Sequence, residues 1–271
     1  MWAYYRAHGR HDLPWRKTHD PYKILVSEVM LQQTQVDRVI PFYKKFIKQF
    51  PTVKSLAAVP LADVLSAWQG LGYNRRAKLL REAIKEMSAL QIRTYRPKFV
   101  GDTLVQDLER LPGVGPYTAR AVAAFTHNAD VVFVETNIRT AVIHHFFNVG
   151  HRKSNISDKE IIKILMEVLP KGRAREWYSA LMDYGAHLKR SGVRVNARST
   201  QYAKQAKFKG SLRQVRGAIL RALTVDASLT EAVLRRRVGN HQGDASMIPS
   251  ALASLTRDGL IQKKGRGWTI A

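Results

Sequence analysis

The chain has 271 residues, and its 45 lysines and arginines against 21 aspartates and glutamates give a formal net charge of +24. This length predicts two or three domains, and the positive excess is typical of nucleic-acid binding because neutralised phosphates release counterions. The lack of cysteine excludes disulfides, thiolate nucleophiles and cysteine-ligated metals. With no bilayer-length apolar run and no signal-peptide core, we expect a soluble cytoplasmic protein, with a merely basic surface as the alternative to nucleic-acid binding.

Apolar residues recur three and four positions apart through most of the chain, which predicts an all-α protein. Residues 131–135 read as an extended lead into a helix that begins near Asn137. A basic linker, or an arm lying on DNA, is predicted over residues 191–210, and three helical stretches followed by an alternating segment predict a winged-helix domain over 211–271. The basic residues after Leu188 are Lys189, Arg190, Arg194, Arg198, Lys204, Lys207 and Lys209.

The stretch LERLPGVGPYTARAVAAF, residues 108–125, places a glycine-rich turn between two helical runs. Gly113 and Gly115 permit backbone angles that other residues resist, so the amides of a short hairpin can point together at one anion. A backbone phosphate is such an anion. Glycine turns between helices are common, so the motif alone is only moderately specific.

Glu28 lies in the predicted helix YKILVSEVMLQQTQV, with Ile24, Leu25 and Leu31 as neighbours. Ionising a carboxyl on an apolar face is costly, so we expect the pKa of Glu28 to rise towards neutrality. A carboxyl with such a pKa suits general acid catalysis. The alternative is a glutamate at a helix edge that pairs with an arginine or lysine.

Glu135 precedes the helix near Asn137, where unpaired amides and the helix dipole favour a charged carboxylate. Such a group can stabilise a cation or act as a nucleophile, or it can simply cap the helix. Two carboxylates held in opposite protonation states are the pattern for cleaving a glycosidic bond. A nucleotide contains such a bond between its sugar and its base.

Other polar and aromatic residues have two readings. Gln32, Gln33 and Tyr73 suit entry into a base stack or contact with base edges, or else form a polar helix face and a core-edge aromatic. No metal site is predicted, because His144 and His145 point to different faces and the other histidines lack zinc spacing.

Several segments together resemble the helix-hairpin-helix DNA glycosylases, and most of all the MutY-type adenine glycosylases. They are LPWRKTHDPYKILVSEVMLQQTQVDRVIPFY, FPTVKSLAAVPLADVLSAWQGLGYNRRAKLL, LPGVGPYTARAVAAF and ALMDYGAHL. The resemblance covers about residues 2–188. It implies an all-α fold of two lobes, and the winged helix predicted from the pattern of residues 211–271 follows them. One lobe comprises residues 1–13 and 130–190, and a six-helix lobe comprises 14–129 with the hairpin at 108–125.

The resemblance also assigns the chemistry. In that family the glutamate of the S-E-V-M-L-Q-Q-T-Q segment, here Glu28, protonates the adenine ring. A carboxylate after the hairpin, usually aspartate in a D-G-N sequence, stabilises the oxocarbenium-like sugar before water attacks. The corresponding stretch here is V-E-T-N, so Glu135 and Asn137 take those positions. The extra methylene of glutamate moves the carboxylate by roughly a bond length, and the rate of the reaction depends on the position of that group.

Further roles follow from the same resemblance. Members that also cut the backbone carry a lysine where this chain has Tyr117, which implies a monofunctional enzyme. The base pocket is expected to include Arg16, Asp183 and Gln32. The duplex wedge and opposite-base contact are expected from Gln33, Tyr73 and Thr34. The hairpin residues expected on the DNA backbone are Leu111, Gly113, Val114 and Gly115. In the tail, the charge of Arg235, Arg236, Lys263, Lys264 and Arg266 favours the same contact, independently of the resemblance.

Besides the V-E-T-N stretch, the chain departs from the family pattern in three further places. The four cysteines of an iron–sulfur cluster are absent after MDYGAHL, which implies a cluster-free member; a monovalent cation at the hairpin is the one cofactor allowed for. The tail reads as a winged helix, whereas the module that inspects 8-oxoguanine in MutY is rich in β-strands. Asn74 replaces the aromatic that commonly follows the wedge tyrosine.

The sequence therefore predicts a monomeric, monofunctional DNA glycosylase of base excision repair, associated with a prokaryotic nucleoid. Its expected substrate is double-stranded DNA with adenine opposite 8-oxoguanine or guanine. One alternative is release of thymine or uracil opposite guanine, and another is a catalytically silent mismatch binder. For the tail, the alternative to DNA binding is a winged helix that docks on protein.

Overall fold

The computed structural model describes residues 1–89, 102–147, 154–202, 207–240 and 244–271. Helix dominates these residues, so the predicted all-α fold is confirmed. Within the described ranges, no helix is long and apolar enough to cross a membrane. The helices are α1 Trp2–His8, α2 Pro21–Leu31, α3 Val36–Gln49, α4 Val53–Ala58, α5 Leu61–Trp68, α6 Arg75–Ala89, α7 Asp102–Glu109, α8 Pro116–His127, α9 Thr136–Phe146, α10 Asp158–Val168, α11 Ala174–Arg190, α12 Leu212–Val225, α13 Glu231–Asn240 and α14 Ile248–Arg257.

The chain packs into two compact units. The first comprises Met1–Glu28, Arg93–Arg110 and Val114–Lys204, and the second comprises Val29–Ile92, Leu111–Gly113 and Gln205–Ala271. These units divide the chain differently from the predicted lobes, whose boundaries stay predictions.

The core of the first unit lies among α8, α9, α10 and α11. The rings of Phe133 and Tyr178 stack there with their centroids 3.9 Å apart. The Tyr178 hydroxyl donates a 2.9 Å hydrogen bond to the carbonyl of Val131, which satisfies a buried polar group. These contacts hold the stretch before α9, which has no regular secondary structure, as the sequence predicts.

Helices α9 and α11 approach one another closely at Gly185. A Cβ atom on Gly185 would lie 2.0 Å from the carbonyl oxygen of Asn137, well inside van der Waals contact. Only glycine allows this approach, because every other residue carries that atom. The glycine of the ALMDYGAHL segment therefore sets the distance between the two helices at the first turn of α9.

The segment after α11 folds back onto the first unit. The Ile156 amide donates to the Arg198 carbonyl at 2.8 Å, and the Thr200 amide donates to the Ile156 carbonyl at 3.0 Å. The side chain of Asn196 adds a 2.8 Å hydrogen bond to Thr140 Oγ1. Residues 191–202 thus pack on this unit, while the linker role of 191–210 stays a prediction; Lys204 in that range lies outside the described residues.

The second unit has an aromatic core around α3 and α5. Phe46 meets Trp68 edge to face at 5.9 Å and Phe50 at 4.9 Å, and the side chains of Phe46 and Trp68 are fully buried. Helix α12 packs on α5, where the Gln69 amide donates a hydrogen bond to Thr224. The C-terminal segment is therefore part of the same packed unit as α3 to α6.

The C-terminal segment also carries a small antiparallel sheet with strand order β1-β3-β2. Trp268 on the central strand lies opposite Leu229 on one side and Lys263 on the other. The order of elements is helix, strand, two helices and two strands, which agrees with the predicted winged helix; that assignment stays a prediction. The strands are β1 Leu229–Thr230, β2 Ile261–Lys264 and β3 Gly267–Ile270.

Candidate active site

Glu28 lies on α2 in an almost wholly apolar setting. Only 5% of its surface is exposed, and its neighbours Leu25, Val29 and Met30 are buried core residues. Burial raises the pKa of Glu28 to about 7; a hydrogen bond from Tyr117 opposes the rise, and the negative charge of Glu135 adds to it. The predicted shift towards neutrality is confirmed, and at neutral pH a large share of Glu28 carries a proton.

Tyr117 comes from the second position of α8, immediately after Pro116. Its hydroxyl donates a 3.0 Å hydrogen bond to Glu28 Oε2, and its ring packs edge to face on Phe133 with centroids 5.7 Å apart. Burial, together with the charges of Glu28 and Glu135, raises the pKa of Tyr117 well above its ordinary value. The phenol therefore stays neutral and acts as a hydrogen-bond donor to Glu28.

Glu135 is the N-cap residue of α9. Its Oε1 accepts hydrogen bonds from the amides of Asn137 at 2.7 Å and Ile138 at 2.9 Å. These contacts satisfy donors that have no partner inside a helix, and a cap of this kind stabilises by about 1 kcal/mol. Glu135 can therefore cap α9 and also stabilise a positive charge.

The amides at the start of α9 favour the charged form of Glu135, as expected, but burial outweighs them. Burial raises the pKa of Glu135, and the two amides with the positive charges of Lys189 and Arg139 only limit that rise. Sequence reasoning counted the helix terminus and left out the burial. Both carboxyls therefore titrate above their ordinary range.

Asn137 links Glu135 to α11. Its Nδ2 donates to Glu135 Oε2 at 3.3 Å, and its Oδ1 accepts a hydrogen bond from Lys189 Nζ at 3.3 Å. The first unit therefore brings together two carboxyls, a phenol, an amide and a lysine. A protonated acid and a carboxylate in one site can protonate a leaving group and stabilise a cation.

Arg16 and Asp183, both expected in the base pocket, bind each other. Arg16 contacts the carboxylate of Asp183 with both terminal nitrogens, at 2.6 and 2.9 Å, and the backbone amide of Arg10 donates to it at 2.8 Å. Burial would raise the pKa of Asp183, but the Arg16 hydrogen bond and charge, with those of Arg10, lower the net pKa. This bidentate pair joins the segment before α2 to α11, and its role in a base pocket stays a prediction.

The residues expected at the duplex lie on two turns of the second unit. Gln33 has φ of 54° and Tyr73 has φ of 50°, in the left-handed region that non-glycine residues seldom adopt. Gln33 is exposed, whereas Gln32 and Thr34 are partly buried. Strained backbone of this kind is found more often at functional sites, which supports the predicted role of both turns.

Arg76 connects these two turns. Its guanidinium donates to the carbonyl of Gln32, to Thr34 Oγ1 at 3.3 Å and to the carbonyl of Gly72 at 3.1 Å. Burial lowers the pKa of Arg76 to about 10, so the side chain stays charged at neutral pH. Sequence reasoning did not single out this residue.

Tyr73 is held by arginines from two parts of the chain. Arg213 of α12 donates a 2.5 Å hydrogen bond to the Tyr73 hydroxyl, and its guanidinium carbon lies 5.4 Å from the ring centroid. The guanidinium of Arg76 lies at the same distance from the ring. Cation–π contacts and the hydrogen bond thus restrict the tyrosine.

The hairpin between α7 and α8 uses its two glycines differently. Gly113 has φ of 74°, and a Cβ there would lie 2.7 Å from Leu79 Cβ, so both conformation and space require glycine. Gly115 is the N-cap of α8 and has φ of −92° and ψ of 177°. The prediction that Gly115 adopts backbone angles that other residues resist is therefore wrong. Leu111 and Val114 are buried, and the contact of this hairpin with a DNA backbone, or with a cation, stays a prediction.

The basic residues expected on DNA in the C-terminal segment are all exposed: Arg235, Arg236, Lys263, Lys264 and Arg266. Arg235 pairs with Glu231 of the same helix at 2.7 Å, which offsets part of its charge. The contact of these residues with DNA stays a prediction.

An iron–sulfur cluster does not fit this chain, because its ligands are cysteine thiolates and the chain has no cysteine. Among the residues that the structure describes, no group of three histidine, aspartate or glutamate side chains is arranged to hold a metal ion.

The fold and the paired acids define a class of protein, the helix-hairpin-helix DNA glycosylases. The family model of the HhH-GPD superfamily base excision DNA repair protein matches residues 26–171. The chain belongs to this superfamily, whose match and relatives place it among the DNA N-glycosylases of base excision repair.

Individual relatives agree with this assignment. An adenine DNA glycosylase of Mycolicibacterium smegmatis is 35% identical over 277 residues, which cover 96% of this chain and 91% of the relative. An adenine DNA glycosylase of Buchnera aphidicola subsp. Baizongia pistaciae is 35% identical over 68% of this chain, and the match spans 50% of that longer relative. The solved structure of a thermostable thymine-DNA glycosylase, 24% identical, aligns with a TM-score of 0.56 over 74% of this chain and 92% of its own, which supports the fold.

Proposed function

We propose that the protein is a monofunctional adenine DNA glycosylase that removes adenine opposite 8-oxoguanine or guanine in double-stranded DNA. One observation carries the proposal: the buried Glu28, with a pKa of about 7, accepts a hydrogen bond from the neutral Tyr117 hydroxyl. A carboxyl in this state holds a proton for a leaving base at neutral pH.

The first step is protonation of the departing base by Glu28. An adenine turned out of the duplex presents ring nitrogens, and a proton on one of them makes the base a better leaving group. The bond between sugar and base then breaks, its electron pair leaves with the base, and positive charge develops on the sugar.

In this mechanism Glu135 stabilises that charge. Its carboxylate is held by the amides at the start of α9 and by Asn137, so it needs little reorganisation as the cation forms. Water then supplies a hydroxyl group to the sugar and releases a proton to a carboxylate. The products are free adenine and an abasic site.

Tyr117 supports the monofunctional assignment. Backbone cleavage by this type of enzyme requires an amine that forms a Schiff base with the opened sugar. The phenol of Tyr117 is a neutral hydrogen-bond donor with a raised pKa, which does not form such an adduct.

The choice of adenine rests on the relatives. The Mycolicibacterium smegmatis protein that aligns with 96% of this chain is named an adenine DNA glycosylase, and the alignment spans nearly the full length of both proteins. Binding to mismatched duplex DNA, a monomeric state and a place in the prokaryotic cytoplasm near the nucleoid belong to the same proposal. The +24 charge favours a polyanionic partner.

A single-turnover assay tests the proposal. End-labelled duplexes would carry adenine opposite 8-oxoguanine, adenine opposite guanine, thymine opposite guanine or uracil opposite guanine. Each reaction would be divided, and one half treated with hot alkali, which cuts DNA at abasic sites.

We expect strand cleavage at the position of adenine, and only after treatment with alkali. Cleavage without alkali would overturn the monofunctional assignment, and release of thymine or uracil in place of adenine would overturn the substrate. Tight mismatch binding with no base release from any duplex would support the silent binder instead.

A further inference from the structure

Lys189 lies in the last turn of α11, one helical turn after Gly185. Gly185 brings the backbone of α11 against the carbonyl of Asn137, and Lys189 Nζ reaches the side-chain oxygen of the same residue at 3.3 Å. Residues four apart on a helix share one face, so Gly185 and Lys189 both contact Asn137.

We propose that Lys189 is a positioning residue of the catalytic site, which orients Asn137 and whose positive charge favours the ionised form of Glu135. Asn137 uses one end of its amide for Lys189 and the other for Glu135, with 3.3 Å at each contact. The ammonium group thus acts on Glu135 through one intervening side chain and through its charge. This inference rests on the proposed function only in taking Glu135 as the stabilising carboxylate.

Among the residues that the structure describes, the titratable groups that act on Glu135 come from four helices. Glu28 of α2 adds a negative charge and Tyr117 of α8 is neutral, while Arg139 of α9 and Lys189 of α11 supply positive charge. Arg139 is bound to the Asp158 carboxylate by two hydrogen bonds of 2.9 Å, which offsets much of its effect. Of these two cations, Lys189 therefore acts more directly on Glu135.

This role differs from that of the basic residues that follow it. Arg190 is the next residue, is exposed at the end of the same helix and carries the same charge. If Lys189 served only to attract DNA, replacing either residue would have the same effect, because each loses one positive charge. Arg190 thus provides a matched control.

The test compares Lys189→Met, Lys189→Gln, Lys189→Arg and Arg190→Met. The protonation of Glu135 would be followed in the free protein by NMR of glutamate labelled with ¹³C at its side-chain carboxyl, with Glu135→Gln to assign the signal. We expect Lys189→Met and Lys189→Gln to raise the pKa of Glu135, and Lys189→Arg and Arg190→Met to leave it near that of the wild type.

Single-turnover base release gives the second readout. Lys189→Met should be about tenfold slower on the acid side of the pH profile, the effect of losing one neighbouring opposite charge. The decrease in rate above neutral pH, which reflects loss of the proton from Glu28, should occur at the same pH as in the wild type. Lys189→Gln keeps a donor to Asn137 and should lose less than Lys189→Met at the optimum.

Equal behaviour of Lys189→Met and Arg190→Met in the NMR titration would overturn the inference. Because that titration needs neither DNA nor turnover, it decides on Lys189 even if no duplex is cleaved. Thermal unfolding of each variant would identify any that fail to fold, and Lys189→Gln then replaces Lys189→Met in the comparison.

Discussion

The hydroxyl of Tyr117 donates a hydrogen bond to Glu28 although 89 residues separate them in the chain. This bond favours the ionised carboxylate and opposes the effect of burial on its pKa. Tyr117→Phe should therefore raise the pKa of Glu28 further. Since Glu28 acts when protonated, the fall in base release above neutral pH should move to higher pH. A single-turnover pH profile measures this, with Tyr184→Phe as a control that does not touch Glu28.

Glu28→Gln should abolish base release while duplex binding is almost unchanged. The amide keeps the shape of the side chain and an acceptor for Tyr117, but it has no acidic proton to give. Single-turnover cleavage and a binding titration with the same duplex separate the two properties. An equal loss in both would count against the role of Glu28 as the acid.

Glu28 also makes the stability of the fold depend on pH. Its pKa is about 7 in the folded protein, against 4.5 as the ordinary value. Between these pH values the folded state holds a proton that the unfolded chain has released, so the free energy of unfolding falls as pH rises, by about 3 kcal/mol in all.

The variant Glu28→Gln, which has no side-chain carboxyl at this position, tests this pH dependence of the free energy of unfolding. The variant should be more stable than the wild type above neutral pH and lose the advantage near pH 4.5. Urea unfolding at about pH 5 and about pH 8 would measure this. A constant difference between the two proteins at both pH values would contradict the prediction.

Glu135→Gln should slow base release by about 100-fold or more, because a charge that stabilises the sugar cation is lost. The glutamine oxygen still accepts from the amides of Asn137 and Ile138, so the melting temperature should change little. Glu135→Asp keeps the charge and should stay within about tenfold of the wild type. Wild-type rates for Glu135→Gln would show that the residue only caps α9.

Gly185→Ala should destabilise the protein by about 2 kcal/mol or more, since its methyl group would meet the backbone of Asn137 and α9 and α11 would have to separate. Gly217→Ala on α12 is the matched control, because the space around Gly217 is open. That change should stabilise by up to about 1 kcal/mol, as alanine favours helix. Thermal and urea unfolding compare the two variants.

Local patterns predicted the helices and the environment of Glu28, because its apolar neighbours lie three and four residues away on the same helix. They did not distinguish Gly113 from Gly115, since residue type alone does not determine φ. Nor did they show the burial that raises the pKa of Glu135, which depends on packing from other helices.

The site residues that the sequence patterns did not predict bind partners that are distant in the chain. Lys189 lies 52 residues from its partner Asn137, and Arg76 lies 44 residues from Gln32. Spacing within one helix contains no information on such pairs. The nearest local signal is Gly185, whose position one turn before Lys189 places both on the face of α11 that meets α9.

The hydrogen bond between Arg213 and Tyr73 spans 140 residues and joins the C-terminal segment to the turn expected at the duplex. In the same unit, Lys78 donates to the carbonyl of Asp258 at 3.1 Å, and Gln69 donates to Thr224. The tail is thus not a detachable module. A chain cut after residue 202 would expose the face of α5 that α12 covers and would release Tyr73 from one of its two arginines.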